Sequence, residues 1–254
     1  MDIFALLLAL LQGITEFLPV SSSGHLFLLE QLLNKKTLSL SFVLLVHLGT
    51  CFSVCLVFFK DIKKLFYDFI KKEQSFFYKF CISLFPSILL GLFFRSWVEE
   101  SFHKKGVAFG FLISGLLLGS LFFLPIKRKS LKELTFLDAF CIGCMQALAI
   151  FPGFSRSALT ITTALYCGLS ARSAVLFSFL ISLPVILGSS LVNIFSPSFE
   201  NLKGSTLELS LSFSLSFISG IISLLIVLKL VKSDKLYLFC FYLIPLSFFV
   251  FFAL

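Results

Sequence analysis

The sequence predicts an all-α polytopic membrane protein built as an inverted-topology repeat, and three observations carry that prediction. First, the 254 residues are 58% hydrophobic and 13% charged, with a mean hydropathy of +1.05. A soluble domain of this length has too little interior to hide so much apolar surface, so lipid must be the solvent for most of it. Second, six apolar runs approach the ~20 residues that a ~30 Å hydrocarbon core demands. Third, two further apolar stretches are broken in the middle by Pro, Gly, Ser and ionisable residues, and the two breaks resemble each other.

The first broken stretch covers 2–33 and the second 136–168. Each half of either stretch has only ~8–16 residues, too short to cross the core at ~1.5 Å per residue. Each is therefore predicted to be a helix–loop–helix that enters the membrane and turns back. Irregular backbone at that depth survives only where protein or a water-filled cavity supplies hydrogen bonds, which makes the breaks the candidate site. Spans follow the first at 38–59, 75–94 and 106–126, and the second at 172–194, 207–231 and 236–254. Residues 1–254 thus form a single membrane domain, with repeat 1 at about 1–126 and repeat 2 at about 127–254.

Aligned on Pro19 and Pro152, Ser22 matches Ser155, and Gln12 matches Gln146 within one residue. Each half is a re-entrant helix-loop-helix plus three transmembrane helices. Three is odd, so the second half is inverted, the plan in which broken helices meet near the midplane.

Loop charge tests the inversion independently. Lys60, Lys63, Lys64, Lys71 and Lys72 cluster in one loop, Lys127, Arg128, Lys129 and Lys132 in a second, and Lys229, Lys232 and Lys235 in a third. Placed on the cytoplasmic side, these loops put both chain ends outside. The 95–105 loop is mixed and 195–206 is near neutral, whereas Lys35 and Lys36 fall against the rule. The amphipathic run Lys60–Lys72 is expected to lie along the cytoplasmic interface. These clusters account for the net charge of +8 and leave no aromatic-basic surface for nucleic acid. Cys141 and Cys144 have CxxC spacing, but no second pair or nearby His completes a zinc site. The seven cysteines are expected to pack as small apolar residues. The N-terminus lacks a basic n-region and is read as mature structure.

Glu16, His25 and Arg156 are ionisable groups in segments otherwise fit for lipid. A charged side chain there costs at least ~2.5–3.5 kcal/mol, so such groups face a cavity and pair with one another. A purely structural ion pair is the bland alternative. Against it stands the company of Ser21, Ser22, Ser23, Gly24, Ser155, Ser157 and Thr160. Pro19 and Pro152 end the first half-helices, because proline lacks the amide donor and restricts the residue before it. The Ser-rich turn that follows starts the second half-helix, which supplies free amides, hydroxyl caps and a positive dipole end. Two such ends converging with the planar fork of Arg156 suit a multiply charged phosphate.

The run Gln12–His25 and the run Pro152-Gly153-Phe154-Ser155-Arg156-Ser157-Ala158-Leu159-Thr160 resemble the two signature motifs of the bacterial undecaprenyl pyrophosphate phosphatase (bacitracin-resistance) family. His47-Leu48-Gly49-Thr50 and Ser178–Pro184 resemble its secondary blocks, so the likeness covers nearly the whole chain. The resemblance implies hydrolysis of the C55 lipid pyrophosphate to undecaprenyl phosphate and phosphate. That activity recycles the carrier lipid for cell-wall synthesis and confers bacitracin resistance. The implied place is the bacterial cytoplasmic (inner) membrane, with the site facing the periplasmic side. Substrate and membrane lipid are the implied partners, and a homodimer is kept open. The implied cofactor is a divalent cation, Mg²⁺ or Ca²⁺, held by Glu16.

The family's catalytic roles fall on Glu16, Ser22, His25 and Arg156. Phosphate binding falls on Ser21, Ser23, Gly153, Ser155, Ser157 and Thr160. Gln12 stands where many members have glutamate, and an amide cannot act as a base, so the carboxylate duty shifts to Glu16. His47 is a further candidate for lining the cavity. His25 lies three residues after Ser22, so the two could share one face at a helix start. Ser22 with His25 as base is the favoured pair, with attack by His25 or by water left open.

Two other classes compete. A transporter or flippase of a phosphorylated isoprenoid lipid would need the same anion site, but it has no obvious use for Glu16 and His25 together. A type-2 phosphatidic-acid phosphatase would match Ser22-Ser23-Gly24-His25. It also needs a His six residues after the Arg, where Thr162 stands here, and it is rejected.

Overall fold

Apolar residues run unbroken from Ile3 to Leu11 and no proline interrupts the chain until Pro19, and this segment forms α1 (Ile3–Phe17). The computed structural model describes residues 3–33, 40–71, 74–124, 129–194 and 205–253. Lys35, Lys36, Lys72, Lys127, Arg128 and most of the 195–206 loop lie outside the described residues. After the first break comes α2 (Ser22–Leu33), then α3 (Leu40–Val57), α4 (Phe59–Ile70), α5 (Ser75–Phe93), the short α6 (Arg95–Glu100) and α7 (Lys104–Ser120). The second half comprises α8 (Phe136–Leu148), α9 (Arg156–Tyr166), α10 (Ala171–Ile194), α11 (Thr206–Lys232) and α12 (Cys240–Ala253). Both broken stretches are helix pairs with the break at the Pro-containing turn, as expected.

Five helical segments are long and apolar enough to cross a membrane, and the bent pair Ser41–Val57 with Phe59–Ile70 makes a sixth candidate. The protein is therefore an all-α polytopic membrane protein. The expected span 38–59 ends in a 75° bend, where Phe58 leaves helical geometry. Beyond it, α4 buries none of its residues and carries its charges on one face, as an interfacial helix does. The Arg172 Nη2 to Asp61 Oδ2 ion pair of 2.8 Å ties α4 to the start of α10. Phe52, Phe85, Phe93, Phe248 and Phe252 are exposed on the spans, which is the apolar surface that lipid covers.

Apolar side chains gain little by leaving lipid for one another, so close backbone approach and buried hydroxyls hold such helices together. α11 carries that pattern: Ser212, Ser216, Ser219 and Ser223 are all buried. Ser223 donates to the Gly13 carbonyl of α1 at 2.8 Å, and Ser53 of α3 donates to Phe217 O at 2.8 Å. A Cβ on Gly13 would stand 1.9 Å from Ser219 Oγ and 2.6 Å from Ser216 O. Gly143 brings α8 equally close to α5, where a Cβ would meet Ser83 O at 2.3 Å. Gly13→Val is expected to destabilise the fold by about 1–3 kcal/mol through overpacking. The readout is a lower melting temperature of the purified protein in detergent; an unchanged melt would remove α1–α11 contact as a source of stability.

The linker before α8 is clamped to the turn after α9. Lys129 N–H donates to Gly168 O at 3.0 Å, and Ser170 N–H donates to Lys129 O at 2.8 Å. Lys129 also pairs with Asp138 in the first turn of α8. This clamp fixes where the second broken helix pair begins.

Candidate active site

α1 stops because Pro19 offers no amide and forces Leu18 out of helical geometry. The chain then reverses through Ser21, whose φ of 70° lies in the left-handed region that few non-glycine residues enter. Ser21 Oγ accepts from Gly24 N–H at 3.2 Å and so caps α2. In the second break Gly153 takes the left-handed position, with φ of 80°. Ser155 caps α9 by accepting from Ala158 N–H at 3.2 Å, and its own N–H donates to Ser114 Oγ at 2.9 Å. The helix caps thus pair Ser21 with Ser155, one residue away from the match that the prolines gave. The same shift brings Gln12 and Gln146 into register.

The two tips touch. A Cβ on Gly24 would lie 3.2 Å from Gly153 Cα and 2.5 Å from Phe111 Cζ. One on Gly153 would meet Val107 O at 2.1 Å. Ser157 Oγ donates across the junction to Leu18 O at 3.0 Å. These contacts bring the last turn of α1 and the first turn of α9 together.

At that junction stands Glu16, only 7% exposed. Its Oε1 accepts from Arg156 Nη2, across the two halves of the chain. Its Oε2 accepts from Gln12 Nε2 at 2.8 Å and from Ser22 Oγ at 2.9 Å. His47 Nε2 lies 3.9 Å from the same oxygen, while His47 Nδ1 donates to Val43 O at 2.8 Å. The Arg156 guanidinium sits over the Phe179 ring, 5.7 Å from its centroid. The cluster is well supplied with partners, with two exceptions: Arg156 Nη1 and Gln12 Oε1 are buried without one. A buried polar atom left unmet costs about 1–3 kcal/mol, so both mark places where a ligand group belongs.

His25 is held differently from the sequence expectation. Its Nδ1 lies 2.8 Å from Ser21 O, and a carbonyl can only accept, so Nδ1 carries the proton. Nε2 is then the acceptor, and Tyr242 Oη of α12 donates to it at 2.7 Å. The two rings stack at 5.7 Å, and Phe111 meets the imidazole edge-on at 5.4 Å. Ser22 therefore directs its hydroxyl to Glu16 and not to His25.

The remaining expected residues fall into two groups. Ser23 Oγ lies 3.3 Å from Ser21 Oγ, and Ser155 Oγ lies 3.2 Å from Ser157 Oγ, each pair lining one tip. Thr160 donates to Arg156 O at 2.7 Å and contacts Ser178 Oγ, so it fixes α9 against α10 and is fully buried. Gln146 donates to Ile181 O at 3.3 Å and takes no part in the cluster.

Tyr242 and Ser114 escaped sequence reasoning, although each is a hydroxyl-bearing residue within an apolar run; Phe179 lies in the Ser178–Pro184 block, but nothing there marked it as a neighbour of Arg156. Among the described residues no three His, Cys, Asp or Glu side chains group as a metal site. The orphaned Gln12 Oε1, the Glu16 carboxylate and Ser22 Oγ are nevertheless hard oxygen donors. They suit Mg²⁺ or Ca²⁺ where a substrate's phosphate oxygens and water complete the shell.

Comparison with known proteins adds a family. The model of the family described as bacitracin resistance protein BacA matches residues 5–249. An undecaprenyl-diphosphatase of Thermosipho africanus is 38% identical, with 98% of each chain covered. Proteins of the same name from Christiangramia forsetii (36% identical, covering 95% of this chain and 94% of the relative) and Methanococcus maripaludis (32%, covering 96% and 97%) are also similar.

Proposed function

The chain belongs to the bacitracin resistance protein BacA family, and on that footing we propose that it hydrolyses undecaprenyl pyrophosphate to undecaprenyl phosphate and phosphate. The observation that carries the reading is the buried Glu16–Arg156 pair joining the two breaks, with Ser22 Oγ on the carboxylate and Arg156 Nη1 unmet. A carboxylate that already accepts a serine hydroxyl's hydrogen bond is placed to take its proton. Ser22 Oγ attacks the terminal phosphorus, the bridging P–O bond breaks, and undecaprenyl phosphate leaves. Water then hydrolyses the phosphoserine. Arg156 Nη1 and the amides at the starts of α2 and α9 hold the phosphoryl oxygens as charge shifts among them. His25 keeps Nε2 as an acceptor: the Tyr242 hydroxyl holds the ring in place for the second step, in which water takes up that position and gives its proton to Nε2.

Gln12 Oε1, Glu16 and Ser22 would hold the divalent cation. When bound, it would neutralise phosphate charge. The transporter alternative gives the Ser22–Glu16 hydrogen bond no task.

The setting is part of the same proposal. Lys60, Lys63, Lys64, Lys71, Lys129, Lys132, Lys229, Lys232 and Lys235 lie at the cytoplasmic face of the inner membrane, and the site opens to the periplasmic side. The inverted repeat is supported by exchange of neighbours: α1 packs on α11 as α8 packs on α5, while α7 packs on its counterpart α12. There the enzyme returns the carrier lipid to cell-wall synthesis and confers bacitracin resistance.

The test is phosphate release by purified protein from C55 pyrophosphate, in EDTA and with added Mg²⁺ or Ca²⁺. Metal-dependent release is expected; none from a folded, monodisperse sample would favour the transporter. Within that assay, Tyr242→Phe should lower kcat about tenfold, the worth of one well-placed hydrogen bond, with KM little changed. Wild-type turnover would remove Tyr242 from the site.

A further inference from the structure

A cavity of about 980 Å³ lies between α4, the first turns of α5, residues 130–132 and the start of α10. It shares no lining residue with the Glu16 cluster. Its walls are largely aromatic and aliphatic, and four cations reach it: Lys64, Lys79, Lys132 and Arg172. Asp61 is matched to Arg172 at 2.8 Å.

Lys79 is the informative one. It is 8% exposed, and among the described residues its ammonium has a ring contact with Phe136, 5.7 Å from the centroid, and no carboxylate partner. Lysine is almost never buried unless paired, because desolvating the ammonium costs far more than one ring contact returns. A stem that only snorkelled would leave the residue exposed, whereas Lys79 is buried and belongs to the cavity's lining.

We propose that this cavity binds one anionic phospholipid, its phosphate between Lys79 and Lys64 and an acyl chain along Phe66, Phe69 and Phe80. The volume far exceeds a free phosphate, and the apolar walls suit a chain. α4 supplies Phe66, Phe69 and Lys64, as interfacial helices that recruit anionic lipid do, and α5 supplies Lys79 and Phe80. The bound lipid wedges α4 against α10 at the Asp61–Arg172 pair.

The test is fluorescence anisotropy of a labelled phosphatidylglycerol with the purified protein in neutral detergent. Saturable binding at one equivalent is expected, with phosphatidylcholine of the same chains competing at least about fivefold more weakly. Lys79→Met should weaken binding about fivefold, and Lys64→Gln, an exposed change that spares the fold, should weaken it less but measurably. Lys229→Gln with Lys235→Gln, on another loop, should leave it unchanged. Equal competition by phosphatidylcholine, unaltered binding in both test variants, or full displacement by millimolar inorganic phosphate would each overturn the proposal.

Discussion

Arg156→Ala is expected to lower kcat/KM by roughly 10³–10⁵-fold, the range for an arginine that meets charge on a transferring phosphoryl group. The guanidinium does two things at once: Nη2 binds Glu16, and Nη1 is left for the substrate. Arg156→Lys separates these tasks. A lysine keeps a counter-ion for the buried carboxylate but cannot present two donors in a plane. The Lys variant should therefore fold like wild type and recover only a small part of the lost rate. The Ala variant strands the Glu16 carboxylate without its charge partner, which costs roughly 3–5 kcal/mol of stability. Steady-state kinetics and a melting curve on both variants check this. Near-normal turnover in the Lys variant would show that the fork is not used.

Glu16→Gln should cost roughly 10²–10⁴-fold in kcat, the usual worth of a positioned acid–base group. The amide is isosteric and still accepts from Ser22, yet it cannot take the proton. It also leaves Gln12 Nε2 facing a weaker acceptor and Arg156 without its charge partner. A rate within tenfold of wild type would move the base elsewhere, with His47, whose Nε2 lies 3.9 Å from Glu16 Oε2, next in line.

Much of this was legible in the sequence because lipid makes strict demands. Span lengths, Pro19, Pro152 and three ionisable residues in apolar surroundings located both broken helix pairs and the residues that meet at their tips. What the sequence did not reveal depends on direction or on distance along the chain. Spacing put His25 near Ser22, but which way each side chain turns was decided by the Ser21 carbonyl, which captures Nδ1. The partner of Nε2 comes from α12, 217 residues away, and no local pattern joins them. Thr160 lies on the same helix as Arg156, yet one turn further on it faces α10. The bend at Phe58 involves neither proline nor glycine, so the apolar run read through it.

The central claim is that the two breaks form one catalytic centre through Glu16 and Arg156. A double-mutant cycle on phosphate release, using Glu16→Gln, Arg156→Lys and the double variant, tests it most directly. If the pair acts as a unit, the double variant should be no slower than the worse single variant within about threefold, because residues acting together lose their effect once. Additive losses, with the double variant slower by the product of the singles, would contradict a shared centre.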